Sequence, residues 1–142
     1  MSLTYTSARD AMFSTFKEGW EDACPIIYQD QLIQPPANGP YAEIYRQNVS
    51  ENQATLCDRV GDGSKRRYEV VGILTIAIKC PLSYSNCENV VSELAQKAKS
   101  IFRGKRVACD IVFSNCRIIS QNPTSNNALT MVLCTYSYYE IA

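Results

Sequence analysis

From Ser7 to Gly19, Ala8, Met12 and Phe16 recur at every fourth position with Phe13 beside them, which predicts an amphipathic helix that stops at Gly19. Pro25-Ile26-Ile27-Tyr28 is too short and too rich in β-branched residues for a helix and predicts a strand. Between Gln31 and Pro40, Pro35-Pro36 and Asn38-Gly39-Pro40 are turn chemistry, so a loop is expected there. Tyr41 to Val49 has strand character through Ile44, Tyr45 and Val49. Ser50 to Lys65 is polar, contains Gly61-Asp62-Gly63-Ser64 and shows no apolar period, which predicts a long exposed loop.

Arg67 to Cys80 carries the clearest strand pattern. Val70, Gly72, Leu74, Ile76 and Ile78 make one apolar face, and Val71, Ile73, Thr75, Ala77 and Lys79 make a mixed one, so a central strand ending at Pro81 is expected. Ser85-Asn86-Cys87-Glu88 fits a capping box and opens a second helix, whose stripe of Val90, Leu94, Ala98 and Phe102 is widened by Val91, Ala95 and Ile101. Gly104 stands where a helix-ending glycine belongs. Two more strands are expected at Val107 to Ser120 and Ala128 to Ile141, joined through Gln121 to Asn127. Strands that follow one another without intervening helices favour antiparallel pairing. The predicted class is therefore α+β: one domain over residues 1–142, with a mostly antiparallel sheet carrying both helices on one face.

At 142 residues the chain is long enough for one core. Fourteen Lys and Arg balance fourteen Asp and Glu, so the excess positive charge that phosphate backbones demand is absent. The longest apolar run, Val70 to Ile78, is far short of a membrane span, and the start, Met1-Ser2-Leu3-Thr4-Tyr5-Thr6, has neither the basic nor the apolar stretch of a signal peptide; neither membrane insertion nor export is expected. The seven cysteines, at 24, 57, 80, 87, 109, 116 and 134, include no C-x-x-C pair, and the chain has no histidine. Reduced core thiols are the expectation, with no structural disulfide and no metal.

The recognisable catalytic and cofactor motifs are missing from the sequence, so neither enzymatic activity nor a cofactor is expected. Among thiols, Cys87 alone stands at a helix start, and its neighbour is Glu88, which disfavours the thiolate. Glu51, Asp58 and Asp62 lack the fixed spacing of an oxygen-ligand site. Arg59, Lys65, Arg66 and Arg67 form a basic patch suited to an acidic partner or to passing DNA, and equally to plain solubility. Nine tyrosines are many for this length; Tyr5, Tyr28, Tyr41, Tyr45 and Tyr84 fall near element ends, where tyrosine serves protein contacts. Tyr136 and Tyr138 predict a half-buried aromatic face on the last strand.

The stretch Arg67-Tyr68-Glu69-Val70-Val71-Gly72-Ile73-Leu74-Thr75-Ile76-Ala77-Ile78, the proline turn after it, the helix ending Ile101-Phe102-Arg103-Gly104 and the two final strands resemble the tail terminator family of long-tailed phages. The short first helix, the strand at Pro25 to Tyr28 and the Pro-containing loop extend the resemblance over nearly the whole chain. It implies a structural virion protein, assembled in the host cytoplasm, that forms a homohexameric ring. Such a ring caps the tail tube, ends tube polymerisation and docks the head connector, with DNA at most passing through it. The seven cysteines and the polar segment at 50–66 depart from the family pattern. Competing readings are another head-tail joining, head-completion or tail-tube-like protein of the same phage class, and a small-molecule-binding α+β domain, which needs a deep apolar pocket.

Overall fold

The alternation along Val70 to Ile78 becomes the centre of a sheet. The computed structural model describes residues 4–29, 31, 34, 39–53, 67–84, 86–107, 111–124 and 127–141. In chain order these form α1 (Tyr5–Trp20), β1 (Ile26–Tyr28), β2 (Tyr41–Gln53), β3 (Arg67–Pro81), α2 (Cys87–Phe102), β4 (Arg106–Val107), β5 (Ile111–Thr124) and β6 (Asn127–Ile141). The strands make a six-stranded sheet in the order β1-β2-β3-β6-β5-β4. All neighbours run antiparallel except β1, which lies parallel to β2. Both helices cover one face, and the class is α+β.

Register assigns the faces. Ala42, Ile44, Arg46 and Asn48 stand opposite Ile78, Ile76, Leu74 and Gly72 on β3, and these in turn oppose Thr130, Val132, Cys134 and Tyr136 on β6. This inner face meets Val91, Ala95, Ala98 and Phe102 of α2 and Met12, Phe16 and Trp20 of α1 in one core. Phe16 stacks on Trp20 at 4.9 Å and on Phe102 at 6.2 Å, which locks the helices together through rings.

Several boundaries differ from the sequence reading, each for a local reason. α1 begins earlier because Thr4 caps it: the Ser7 N–H donates to Thr4 Oγ1 at 3.1 Å and the Thr4 N–H to Ser7 Oγ at 2.8 Å, a capping box closed by serine. Gly19 does not stop the helix, which runs on to Trp20 and ends at a left-handed Glu21. Gly19 instead lets α2 approach, since a Cβ there would lie 2.8 Å from Ile101 Cγ1. The capping box expected at Ser85 does not start α2: Asn86 is the N-cap, is left-handed with φ 57°, and makes no side-chain cap bond, which puts Glu88 one position short of reciprocal capping. At the other end Gly104 is left-handed, φ 69°, as expected of a glycine past a helix.

Ser50 to Gln53, expected in the loop, belong to β2. A bulge between Asn48 and Ser50 shifts the register and lets the strand continue against Val71 to Tyr68; residues 54–66 lie outside the described residues. The strand expected from Val107 to Ser120 is two strands, because Arg106 and Val107 fold back onto Val112 and Ile111. β1 departs from the antiparallel expectation for sequential strands: with only three residues, it docks beside the start of β2 at the sheet's edge.

Candidate functional site

Of the basic residues singled out in the sequence, Arg59, Lys65 and Arg66 lie outside the described residues. Arg67 opens β3, where its backbone pairs with Ile141. Glu51, once a candidate metal ligand with Asp58 and Asp62, sits exposed on β2 and accepts a hydrogen bond from Asn48 Nδ2 at 3.2 Å. The two aspartates are outside the described residues.

The polar group that the fold does concentrate is Arg46 with its tyrosines. Arg46 has inward parity on β2, after Ala42 and Ile44, and is 2% exposed; among the described residues no other charged side chain is buried. Gln29 clamps its backbone, accepting from the Arg46 N–H at 3.1 Å and donating to its carbonyl at 3.3 Å. The guanidinium carbon lies 3.6 Å from the ring centre of Tyr5, a cation–π contact with the first residue of α1. None of Nε, Nη1 and Nη2 has a partner in ordinary hydrogen-bond geometry among the described residues, but the Tyr136 hydroxyl lies close enough for the guanidinium to act on it.

Tyr136 and Tyr138 lie within electrostatic reach of this cation. They are fully buried, not half-buried as their sequence spacing predicted, and their rings stack at 6.2 Å. The Tyr136 hydroxyl donates to Asn48 Oδ1; the buried Tyr138 hydroxyl has no partner in ordinary hydrogen-bond geometry among the described residues, but the Asn48 side chain is near enough to oppose the rise in its pKa that burial causes. Burial pushes the Tyr136 phenol up to about 12 despite the opposing pull of Arg46, and burial likewise raises Tyr138. Sequence reading missed Arg46, although the alternation of β2 placed it on the apolar face.

The outer face of the sheet carries Ile73 on β3 and Leu129, Met131 and Leu133 on β6, all half-exposed, with a Glu43–Lys79 ion pair at 3.3 Å beside them. Both helices lie on the other side. The edge strands are short, three residues in β1 and two in β4.

Cys24, Cys80 and Cys134 are buried free thiols. Burial pushes Cys24 up to about 11 and raises the other two, so at neutral pH all three stay protonated and weakly nucleophilic. Beside α1 an open hollow is lined by Arg9, Asp10, Phe13, Lys17, Tyr28 and Gln31, a mixed and charged surface unlike a deep apolar pocket.

No protein-family model matches the chain, and no curated protein does. Fifteen chains of solved structures match it. One of them, a protein whose name states no activity, superposes with a TM-score of 0.60 at 16% identity, covering 92% of this chain and 94% of that one. At such identity the likeness establishes a common fold alone.

Proposed function

We propose that the chain is a tail terminator subunit of a long-tailed phage, a non-catalytic virion protein that forms a homohexameric ring on the tail tube, halts tube growth and receives the head connector. The observation that carries this reading is the sheet with one helix-covered face and one mixed face that no helix covers among the described residues and that carries a patch of half-exposed apolar side chains. Ile73, Leu129, Met131 and Leu133 offer contact area there, and two short, unlike edges flank it. A closed ring requires two different patches on each subunit, and a second copy is the occupant that supplies both. Near-zero net charge lowers repulsion between like subunits.

The mass of the purified protein in solution tests the ring. A six-fold species, alone or on added tail tube protein, supports it; a monomer under both conditions argues for another class of binder. Arg59, Lys65, Arg66 and Arg67 are proposed to meet an acidic partner, the tube protein or the connector. Changing all four to glutamine should leave the ring mass unchanged, weaken partner binding and flatten its salt dependence. A head-tail joining protein of the same class would differ in its partner, binding the connector protein in pull-downs and leaving tube length uncontrolled.

A further inference from the structure

Two cysteines face each other across a bulge in β5. Phe113 and Ser114 pair with Tyr136 and Thr135, while Arg117 and Ile118 pair with Leu133 and Val132, so Asn115 and Cys116 together stand opposite Cys134. Asn115 is exposed and takes the left-handed conformation, φ 51°, that the first residue of such a bulge adopts. Parity then resumes one residue late. Phe113, Cys116 and Ile118 share the helix-covered face with Tyr136, Cys134 and Val132; Cys116 is half-buried against the core, and Cys134 lies fully inside it. Without the extra residue Cys116 would stand opposite Leu133 on the outer face. The bulge is what brings the two thiols together.

We propose that Cys116 and Cys134 are a peroxide-responsive thiol pair that closes reversibly into a disulfide joining β5 to β6.

Burial divides the roles. Cys116 reaches solvent and meets the oxidant first: its thiolate sulfur attacks one oxygen of hydrogen peroxide and the O–O bond breaks. Cys116 becomes a sulfenic acid, and the released hydroxide recovers the proton that Cys116 gave up, as water. Cys134 acts second. Burial chiefly, and then its interaction with the Cys116 side chain, hold its thiol well above the ordinary range, so it keeps its proton and is shielded from the oxidant. Its sulfur attacks the sulfenic sulfur, the S–O bond breaks, and the Cys134 proton leaves with the hydroxyl as a second water. One peroxide is reduced and two thiols are oxidised.

Geometry makes the bridge conditional. Residues directly opposite in antiparallel strands hold their Cβ atoms roughly 4.5–5.5 Å apart, whereas a disulfide requires about 3.5–4.5 Å. The strands must draw together to close it, and a bridge that strains them is readily reduced again by small thiols. Nothing about this pair depends on the tail terminator reading.

The test treats the folded full chain with hydrogen peroxide, blocks the remaining thiols by denaturation in N-ethylmaleimide, and maps a non-reduced digest by mass spectrometry. Trypsin with a protease that cuts before Asp110 separates Cys116 from Cys109. The expected product is a linked Cys116–Cys134 peptide that disappears after treatment with reduced glutathione. Cys134→Ala, which lacks the second thiol, should accumulate about tenfold more dimedone-trapped sulfenic acid at Cys116 than wild type. The proposal is overturned if either cysteine of the wild-type chain bridges to a different one. It is equally overturned if Cys116 is oxidised while Cys134 is recovered as the maleimide adduct, or if both are recovered so. The wild-type map decides, whatever the variant does.

Discussion

Tyr136 lies across Gly72, its neighbour in the β6–β3 register, with the hydroxyl carried over the missing side chain to Asn48 on β2. A Cβ on Gly72 would run into the Tyr136 hydroxyl and come within 2.5 Å of the Gln47 carbonyl oxygen. One strand thus gives up its side chain so that a side chain from a second can reach a third. Gly72→Ala should therefore destabilise the protein by about 1–3 kcal/mol, as overpacking of a filled core does, despite alanine's advantage over glycine in a strand. Urea denaturation measures this; an unchanged midpoint would mean that the ring does not occupy this space.

Arg46→Met should make the subunit more stable while it is alone. The methionine fills the volume among Leu74 and the tyrosines without a charge to desolvate, and the expected gain is about 1–3 kcal/mol after loss of the Tyr5 contact. Thermal unfolding at low protein concentration is the measurement. A large loss of stability would mean that the guanidinium already has a strong partner.

Alkaline pH should unfold the chain progressively. Cys24 rises from 9.0 to about 11 and Tyr136 from 10.0 to about 12, so both keep their protons in the folded state while the unfolded chain releases them. The stability they contribute is complete below pH 9. It declines as pH climbs through about 9–12, by roughly 1.4 kcal/mol per unit for each group in its own window. Melting temperatures across this range should fall, less steeply from 10 to 12 in Tyr136→Phe and from 9 to 11 in Cys24→Ala.

Thr4→Ala removes the oxygen that accepts from the Ser7 N–H and should cost about 1 kcal/mol. Because Tyr5 follows directly, its ring over Arg46 should loosen as well, and amide exchange in the first turn of α1 should quicken. Exchange unchanged from wild type would show that tertiary contacts alone hold this turn.

Much of this fold was legible because burial follows parity. The alternation from Val70 to Ile78 marked the central strand, and the stripe through Ala98 and Phe102 marked the helix that covers it. What escaped lay where one residue type serves two ends. Gly19 looked like a terminator but is a contact point with Ile101. The single strand expected from Val107 to Ser120 contains no glycine or proline to announce its division into β4 and β5. Arg46 was invisible as a site because an arginine in a strand ordinarily faces water, though counting by twos from Ala42 and Ile44 points it inward. The basic candidates Arg59, Lys65 and Arg66 fall outside the described residues, so for them charge remains the argument.

The pairing of β3 with β6 also sets a schedule for synthesis. Pro81 meets Asn127 and Arg67 meets Ile141, so the central strand emerges from the ribosome with β2 on one side and waits for the rest of the chain to supply its other neighbour. During that interval the edge running from Val70 to Ile78 offers open backbone hydrogen bonds and apolar side chains to any nascent neighbour. Slower elongation after Pro81 would lengthen the wait. Yield of soluble protein should therefore follow translation speed through α2 and β5 more closely than it follows the stability of the finished subunit.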